Sequence, residues 1–500
     1  MWVGKRLTLA HTHRPGQAQG FAEKTNGNRR CLEMLRLFSL LLACLSLTAP
    51  AADRPNLVIF IADDVSAEDL GCYGNPNIRT PAIDRLAADG LRFDNAFLTC
   101  SSCSPSRCSL ISGRYPHATG AAELHQPLPA DQPVFPERLR QAGYHTAAAG
   151  KWHLGPHAQR GFDVIREGGK PSGSEHWAEV VQGRPKNQPF FLYLAAFDAH
   201  RDYEPNAIPE PHKPTDVRVP PYLADTRETR EDLALYYDEI SRFDHNVGRI
   251  VEMLRADGVL DNTLILVMAD NGRPFSRCKT TVLDSGLRPP FIVHWPARVK
   301  PGQVGSNLVS SVDIAPTFCA AAGIDPEPAF QGVSFLPQLD NPATRTREFA
   351  FGEHNWHDYQ AHERSVTDGR YLYVWNARPD LPRTPPADAV RSITHQAMLR
   401  LHDSGALHDY QADLFHAPRQ AEELYDREVD PHQLSDRFAE PALAEVTTRL
   451  KAALAQWQSE TGDAMPEVLT PDKFDRRTGL PLQPAGRKKA GAKKTVKAKP

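Results

Sequence analysis

Asn56-Leu57-Val58-Ile59-Phe60-Ile61 is an almost unbroken apolar run that stops at Asp63-Asp64. A strand with one wet face would alternate apolar and polar side chains. A run without alternation fits a strand covered on both faces, as in a parallel sheet held between layers of helices. The rest of the first half keeps that rhythm. Thr80-Pro81 opens a helix over 82–88 in the cap-then-proline order, and Gly90 stops it. The pattern predicts a helix over 135–142, a strand over 144–149, another at Phe190-Phe191-Leu192-Tyr193-Leu194 and a further one over 263–268. Before that last strand, residues 230–256 place Leu233, Tyr237, Ile240, Phe243, Val247, Ile250 and Leu254 at three-four spacing, the stripe of a long amphipathic helix. Strand and helix in alternation imply an α/β fold with a large, mainly parallel sheet flanked by helices.

In such sheets ligands bind beyond the carboxyl ends of the strands. Asp63-Asp64 follow one expected strand, Lys151 and His153 a second, His200 a third and Asp270-Asn271 a fourth. A single strand-end Asp or Asn is more often a turn former or a helix cap. Four polar strand ends in one sheet point instead to a common site.

Cys103-Ser104-Pro105-Ser106-Arg107 continues as Cys108-Ser109-Leu110-Ile111-Ser112-Gly113. One reading takes Cys100, Cys103 and Cys108 as a metal knuckle or disulfide partners, since C-x2-C-x4-C has ligand-like spacing. A closed zinc site wants a fourth ligand, and none lies nearby in the sequence. The other reading is a resemblance: C-x-P-x-R followed by x4-[ST]-G resembles the maturation signature of type I sulfatases. In that family a dedicated enzyme oxidises the cysteine to formylglycine (3-oxoalanine), so the resemblance makes Cys103 a precursor. A serine attacking a sulfate ester would become a sulfated enzyme needing a second attack at sulfur. A hydrated aldehyde has two hydroxyls on one carbon, one to attack sulfur and one to lose a proton and expel sulfate as C=O re-forms.

Further elements resemble the same family. Gly150-Lys151-Trp152-His153-Leu154-Gly155 is similar to its G-K-W-H-L-G element, and Phe197-Asp198-Ala199-His200 to its strand-end histidine. Lys279-x-Thr281-x2-Asp284-x-Gly286-x-Arg288-x-Pro290 is similar to the segment carrying its sulfate-binding lysine. The resemblance spans residues 56–323 and returns weakly beyond them. It implies an alkaline-phosphatase-like sulfatase fold and one Ca²⁺ per chain on Asp63, Asp64, Asp270 and Asn271, beside the modified Cys103. Oxygen ligands with three carboxylates suit such a hard cation. By the same resemblance Arg107 and Lys151 hold the hydrate and the anions of the metal site, and His153 takes the second hydroxyl's proton. His200 and Lys279 clamp sulfate, one of them protonating the departing atom.

The short link Gly272-Arg273-Pro274-Phe275-Ser276-Arg277-Cys278, with Glu123-Leu124-His125-Gln126 and Phe190-Phe191-Leu192-Tyr193, resembles the heparan N-sulfatase branch, the N-sulfoglucosamine sulfohydrolases. Members of that branch cleave a terminal N-sulfate. Two departures stand out: Lys279 replaces an arginine of the lysosomal members, and Asp198-Ala199-His200 replaces their Asp-Pro-His. An O-sulfated glycan or an aryl sulfate is therefore the alternative substrate. A phosphodiesterase or phosphonate hydrolase of the same superfamily is a further rival. A catalytically silent glycan-binding protein would be marked by loss of Cys103, Arg107 or the metal acids, and all are present.

Five hundred residues with 41% hydrophobic content can form one large domain and a smaller one. The expected division is a catalytic domain over 53–339, a C-terminal α+β subdomain with an antiparallel sheet over 340–470, and a basic, disordered tail over 471–500. In the second region Arg364-Ser365-Val366 and Arg370-Tyr371-Leu372-Tyr373 read as a hairpin, Glu423-Leu424-Tyr425-Asp426 as a closing strand, and 441–458 as a helix packed on that sheet. His354, His357 and His362 read as pocket-rim or surface residues. At the other end, Met34-Leu35-Arg36, an apolar run over 37–47 and Ala49-Pro50-Ala51-Ala52 resemble an export signal starting at Met34 and cut near Ala51 or Ala52. The run is too short to span a bilayer, so residues 1–52 are a leader and the enzyme is expected in the periplasm or outside the cell. The six cysteines beyond it are too few and too scattered for a disulfide framework. Against a formal charge of -3, residues 1–52 carry +5 and residues 487–500 carry +7, leaving -15 on the body. Such a body argues against nucleic acid and against broad capture of a long polyanion. The expected partners are a small sulfated saccharide, attacked from its end, and a formylglycine-generating or anaerobic sulfatase-maturating enzyme.

Overall fold

A computed structural model describes residues 54–482 of the protein. The leader with its cleavage point and the lysine-rich run over 487–500 lie outside the described residues. Strand β1 (Asn56–Ala62) is buried from its second residue onward, as its unbroken apolar run requires. It lies between β6 (Phe190–Ala195) and β7 (Thr263–Ala269), parallel to both, with Leu57 opposite Phe191 on one side and Leu264 on the other. Outward from β6 come β4 (His145–Gly150) and β5 (Val164–Glu167), again parallel. Beyond β7 the sheet turns mixed: β8 (Phe291–His294) is antiparallel to both β7 and β2 (Leu91–Phe93), and β9 (Gln303–Gly305) closes the edge parallel to β2. This is the expected large, mainly parallel sheet; apart from it β3 (Ala96–Phe97) and β10 (Val309–Ser310) form a short parallel pair.

Apolar side chains cover both faces. On one face Leu57, Ile59 and Ile61 of β1 pack in a core with Leu110, Phe135 and Phe318. On the other, Val58 and Phe60 meet Leu233, Ile240, Val247 and Leu254 of the Arg227–Ala256 helix. All seven stripe residues of that helix are buried. The helix starts three residues before the periodicity does, because the Thr226 side chain accepts a bond from the Thr229 N–H and caps an orphan donor.

The second region builds a four-stranded antiparallel sheet from β11 (Ala350–His354), β12 (Glu363–Thr367), β13 (Tyr371–Asn376) and β14 (Glu422–Asp426). The Ala444–Thr461 helix lays Leu450, Leu454 and Trp457 on Val366, Tyr373 and Leu424. This small sheet is welded to the large one. Tyr115 stands edge-on to Trp457 at 5.0 Å, Cys100 bridges to Glu353, and Arg427 pairs with Asp284 at 2.8 Å.

The proposed tail boundary needs correction, because residues 471–482 are folded. Trp356 Nε1 donates to Pro471 O at 2.9 Å, Gln360 N to Asp472 Oδ1 at 2.7 Å, and Phe474 packs on Tyr359, Ala387 and Val390. The lysine run that suggested disorder begins only at 487, and Phe474 and Arg476 give the preceding stretch both an apolar anchor and a charged one. The six described cysteines carry free thiols, and all but Cys72 are buried.

Candidate active site

Four adjacent strands, in the order β4-β6-β1-β7, deliver the polar residues to one edge of the sheet. Backbone bonds carry the ladder past the strand ends: Lys151 N to Ala195 O at 2.9 Å, Asp63 N to Asp198 O at 2.7 Å, and Asp270 N to Ala62 O at 3.1 Å. Asp64 then turns into the left-handed region, φ 64°, and its N–H donates to Asp270 Oδ1 at 3.2 Å. Aspartate tolerates that conformation better than most side chains. The turn puts three carboxylates, from Asp63, Asp64 and Asp270, side by side and fully buried.

The C-x-P-x-R segment is not a loop. Cys103 is the first residue of a helix, Cys103–Ser112, with every residue buried. Pro105 sits in the first turn, where no intrahelical partner for its nitrogen is needed, and Gly113, φ 65°, ends the helix. Cys103 therefore stands at the positive end of the helix dipole. Its Sγ lies 3.6 Å from Asp63 Oδ1 and 3.9 Å from Asp64 Oδ1, and these three residues can offer ligand atoms to one metal ion. Burial pushes the Cys103 thiol up, and Lys151 and Lys279 do not offset it. A thiol held protonated is a poor nucleophile. The zinc-knuckle reading gains no support, since Cys100 and Cys108 are absent from the metal-competent groups found among the described residues.

Each carboxylate has its own cation. Arg107 Nε donates to Asp270 Oδ2 at 2.7 Å, Lys151 Nζ contacts Asp63, and Lys279 Nζ lies 2.6 Å from Asp64 Oδ1. Burial alone would raise the Asp63 carboxyl, but Lys151, with His200, Arg107 and Lys279, holds it well below its ordinary value. For Asp64 burial wins over Lys279, with Asp63 and Asp270 adding repulsion, and the carboxyl is pushed well up. Burial likewise raises Asp270 despite Arg107. A divalent cation among three such acids would relieve this repulsion and leave the centre with net positive charge for an anionic substrate. The donor set fits calcium: three carboxylates and the buried Asn271 Oδ1, which has no hydrogen-bond partner. One terminal nitrogen of Arg107 and the Nδ1 of His153 are also buried without partners.

His153, φ 52°, has burial and then the nearby Lys151 and Arg107 driving its pKa down to about 2. Burial and Lys279 lower His200 to about 4. His200 Nε2 faces Asp388 Oδ2 at 3.9 Å. Lys279 is raised well above its ordinary value, because Asp64 overcomes the cost of burial.

The second region forms one wall. Ser102 Oγ and His357 Nδ1 are 2.7 Å apart, and within the catalytic region Thr280 N donates to Ser101 O at 3.0 Å beside that contact. Of the two readings of His354, His357 and His362, pocket rim or surface, the surface one fails: all three are buried, the first and last at 6% and 1% exposure, and His354 lines a cavity with Thr280. They sit on or beside β11 and β12, where the small sheet turns toward the large one, so a count of histidines in a loop-like stretch could not place them.

A family model described as Sulfatase matches residues 55–324, which include every residue of this cluster except those of the second-region wall. The chain belongs to the sulfatase family. A second model, described as N-sulphoglucosamine sulphohydrolase, C-terminal, matches residues 277–374 of this sulfatase. The sulfatase is 32% identical over 468 residues to human N-sulphoglucosamine sulphohydrolase, covering 84% of this chain and 92% of the human protein. It is 28% identical over 464 residues to an ulvan-active sulfatase of Formosa agariphila, covering 82% and 76%. Among solved structures, that of BT4656 in complex with its substrate D-glucosamine-2-N,6-O-disulfate superposes with a TM-score of 0.64 at 21% identity, over 83% of this chain and 99% of that one. That likeness establishes the fold.

Every site residue singled out in the sequence lies at the one sheet edge, together with others that the sequence does not mark. Asp388 sits in a short helix with no motif around it, and nothing in the sequence marks it. His357 reaches Ser102 only through the fold, and no sequence spacing links the two. His125 belongs to the Glu123-Leu124-His125-Gln126 element, whose resemblance assigns it no role, and its ring meets His153 at 2.8 Å.

Proposed function

We propose that this sulfatase releases sulfate from the non-reducing end of a small sulfated saccharide, with N-sulfoglucosamine as the favoured terminal residue. It would act with Cys103 in its formylglycine form and one calcium ion. The observation that carries the substrate assignment is the match of residues 277–374 to the N-sulphoglucosamine sulphohydrolase C-terminal model. That stretch holds both Lys279, on the floor of the site, and His357, on its wall.

Asp63, Asp64, Asp270 and the free Asn271 Oδ1 would hold the cation, which when bound polarises a sulfate oxygen and favours an ionised hydroxyl near neutral pH. The formylglycine hydrate supplies two hydroxyls on one carbon. Arg107 spends one side of its guanidinium on Asp270 and keeps a buried terminal nitrogen for an anion. Lys151, Lys279 and His200 surround the place of a sulfate, where fixed charges in a dry site stabilise the transition state more than they would in water. His153, neutral by its surroundings, accepts a proton at the unpartnered Nδ1. Because the whole Cys103–Ser112 helix is buried, a maturation enzyme would read this segment before the chain folds. That order suits an exported protein, and export to the periplasm or beyond follows from the leader-like start of the sequence.

Release of sulfate from a panel of defined N- and O-sulfated mono- and disaccharides tests the reading. Turnover of terminal N-sulfoglucosamine is expected. Activity confined to O-sulfated sugars moves the assignment to that class, and preference for aryl phosphate diesters overturns it.

A further inference from the structure

We infer that His125 is a positioning residue for His153, fixing it in the tautomer whose bare Nδ1 faces the site. This rests on the proton-accepting role given to His153 above. His125 bridges the two halves of the centre. Its backbone N–H donates to Ser104 Oγ, next to Cys103, at 2.7 Å, and its ring Nδ1 lies 2.8 Å from His153 Nε2. A left-handed backbone, φ 68°, makes both contacts from one residue. Between two imidazole nitrogens at that distance, one must carry hydrogen and the other must not.

The surroundings decide which. His153 Nδ1 is buried without a partner, and Lys151 and Arg107 are its strongest charged neighbours. A lone pair directed among cations is favoured; an N–H there is not. So His153 carries its hydrogen on Nε2 and donates it to His125 Nδ1. The groups acting on His125 are Asp358, Lys473, Lys151, Lys279 and His153. His125, accepting at Nδ1, then carries its own hydrogen on Nε2, and its exposed ring leaves that hydrogen to water. When His153 Nδ1 takes a proton, the Nε2 proton can pass to His125 Nδ1 and the His125 Nε2 proton can leave to water, so charge does not accumulate inside. Partners of this kind, which fix a functional histidine's tautomer, change activity by about 10–100-fold when removed in metal sites.

Long-range proton–nitrogen NMR of the histidine rings reads the tautomer directly. It is run on the Cys103 form from a host without the maturation system, with His153 assigned by its loss in His153→Asn. The expected result is an Nε2–H tautomer for His153, retained in His125→Asn, whose Oδ1 can stand for the ring nitrogen, and lost or mixed in His125→Ala. An Nδ1–H tautomer in the wild type overturns the inference. On matured enzyme, kcat should fall by about 10–100-fold in His125→Ala with KM nearly unchanged, and mostly return in His125→Asn. Equal kcat in all three also overturns it. The NMR result does not depend on formylglycine, so a wild type active without an aldehyde at 103 would sink the proposed mechanism and leave the tautomer assignment standing.

Discussion

Lys279 Nζ lies 2.6 and 2.8 Å from the two carboxylate oxygens of Asp64, and both side chains are buried to 1% exposure or less. The pair joins the loop after β7 to the turn after β1, so the residue expected to clamp sulfate also neutralises an expected metal ligand. Removing one partner of a buried pair leaves an uncompensated charge, at a cost of about 3–5 kcal/mol. Lys279→Ala should therefore lower the melting temperature as well as turnover. Calcium should restore part of the stability and none of the activity. Differential scanning calorimetry with and without calcium checks this, and a variant of unchanged stability would show that the pair does not hold in solution.

Chelation should abolish turnover and lower the melting temperature, and calcium should restore both. A ligand that binds the folded state alone stabilises it by about 2.7 kcal/mol at a hundredfold excess over Kd. Asp64→Asn and Asp270→Ala should remove the calcium response. Full activity after exhaustive chelation, with no metal by elemental analysis, would contradict the assignment.

Cys103→Ser and Cys103→Ala should be almost inactive while folding normally, because each removes the diol without opening a large cavity. Peptide mass spectrometry of active wild type should find residue 103 lighter than cysteine by the difference between thiol and aldehyde side chains. Active protein bearing only thiol would remove formylglycine from the mechanism.

Much of this centre was legible because its residues stand at strand ends. The apolar runs of β1, β6 and β7 gave the sheet, and the polar residues after each run then had only one place to go. Motif spacing did the rest for Cys103 and Arg107. What stayed hidden depends on tertiary contact. Asp388 reaches His200 from a four-residue helix almost two hundred positions away, and His357 reaches Ser102 from the loop after β11. The C-x-P-x-R stretch carries no helical signal in its sequence, yet it forms a helix that tolerates Pro105 because that residue falls in the first turn, where its nitrogen needs no intrahelical partner. Composition places the tail boundary too early since it registers lysines, whereas Phe474 is held by a cluster built from distant residues.

Stability should fall as pH drops from about 6.5 toward 4. Burial lowers His395, and Arg201 adds to the effect, to about 4; burial also brings His354 and His362 to about 4. Their unfolded values are near 6.5, so between those limits the unfolded chain binds more protons, and stability present above 6.5 is lost on acidification. His395, whose Nδ1 is 2.8 Å from Ser276 Oγ, lies away from the expected metal ligands and isolates the effect. His395→Gln should flatten the pH dependence of the melting temperature by an amount equivalent to at most about 3 kcal/mol. An unchanged slope would show that this ring is not buried neutral.

The last prediction separates the two proton-donor candidates from the rest of the sulfate clamp. Cleaving S–N makes an amine and requires a proton on nitrogen, whereas the phenolate of an activated aryl sulfate leaves with little help. Arg107 and Lys151 are tied to Asp270 and Asp63 and serve the anion alike in both reactions. His200 and Lys279 lie toward the second-region wall, where His200 faces Asp388 and Lys279 is the strongest charge acting on Asp388 and His357. His200→Ala and Lys279→Ala should therefore lose about 100-fold more rate on N-sulfoglucosamine than on para-nitrophenyl sulfate for whichever residue is the donor, within the usual span of general-acid effects. The other residue, like Arg107→Ala, should lose rate on both substrates to a similar degree. Both variants with equal losses on the two substrates would place the proton donor elsewhere, with Asp388→Asn the next substitution to measure.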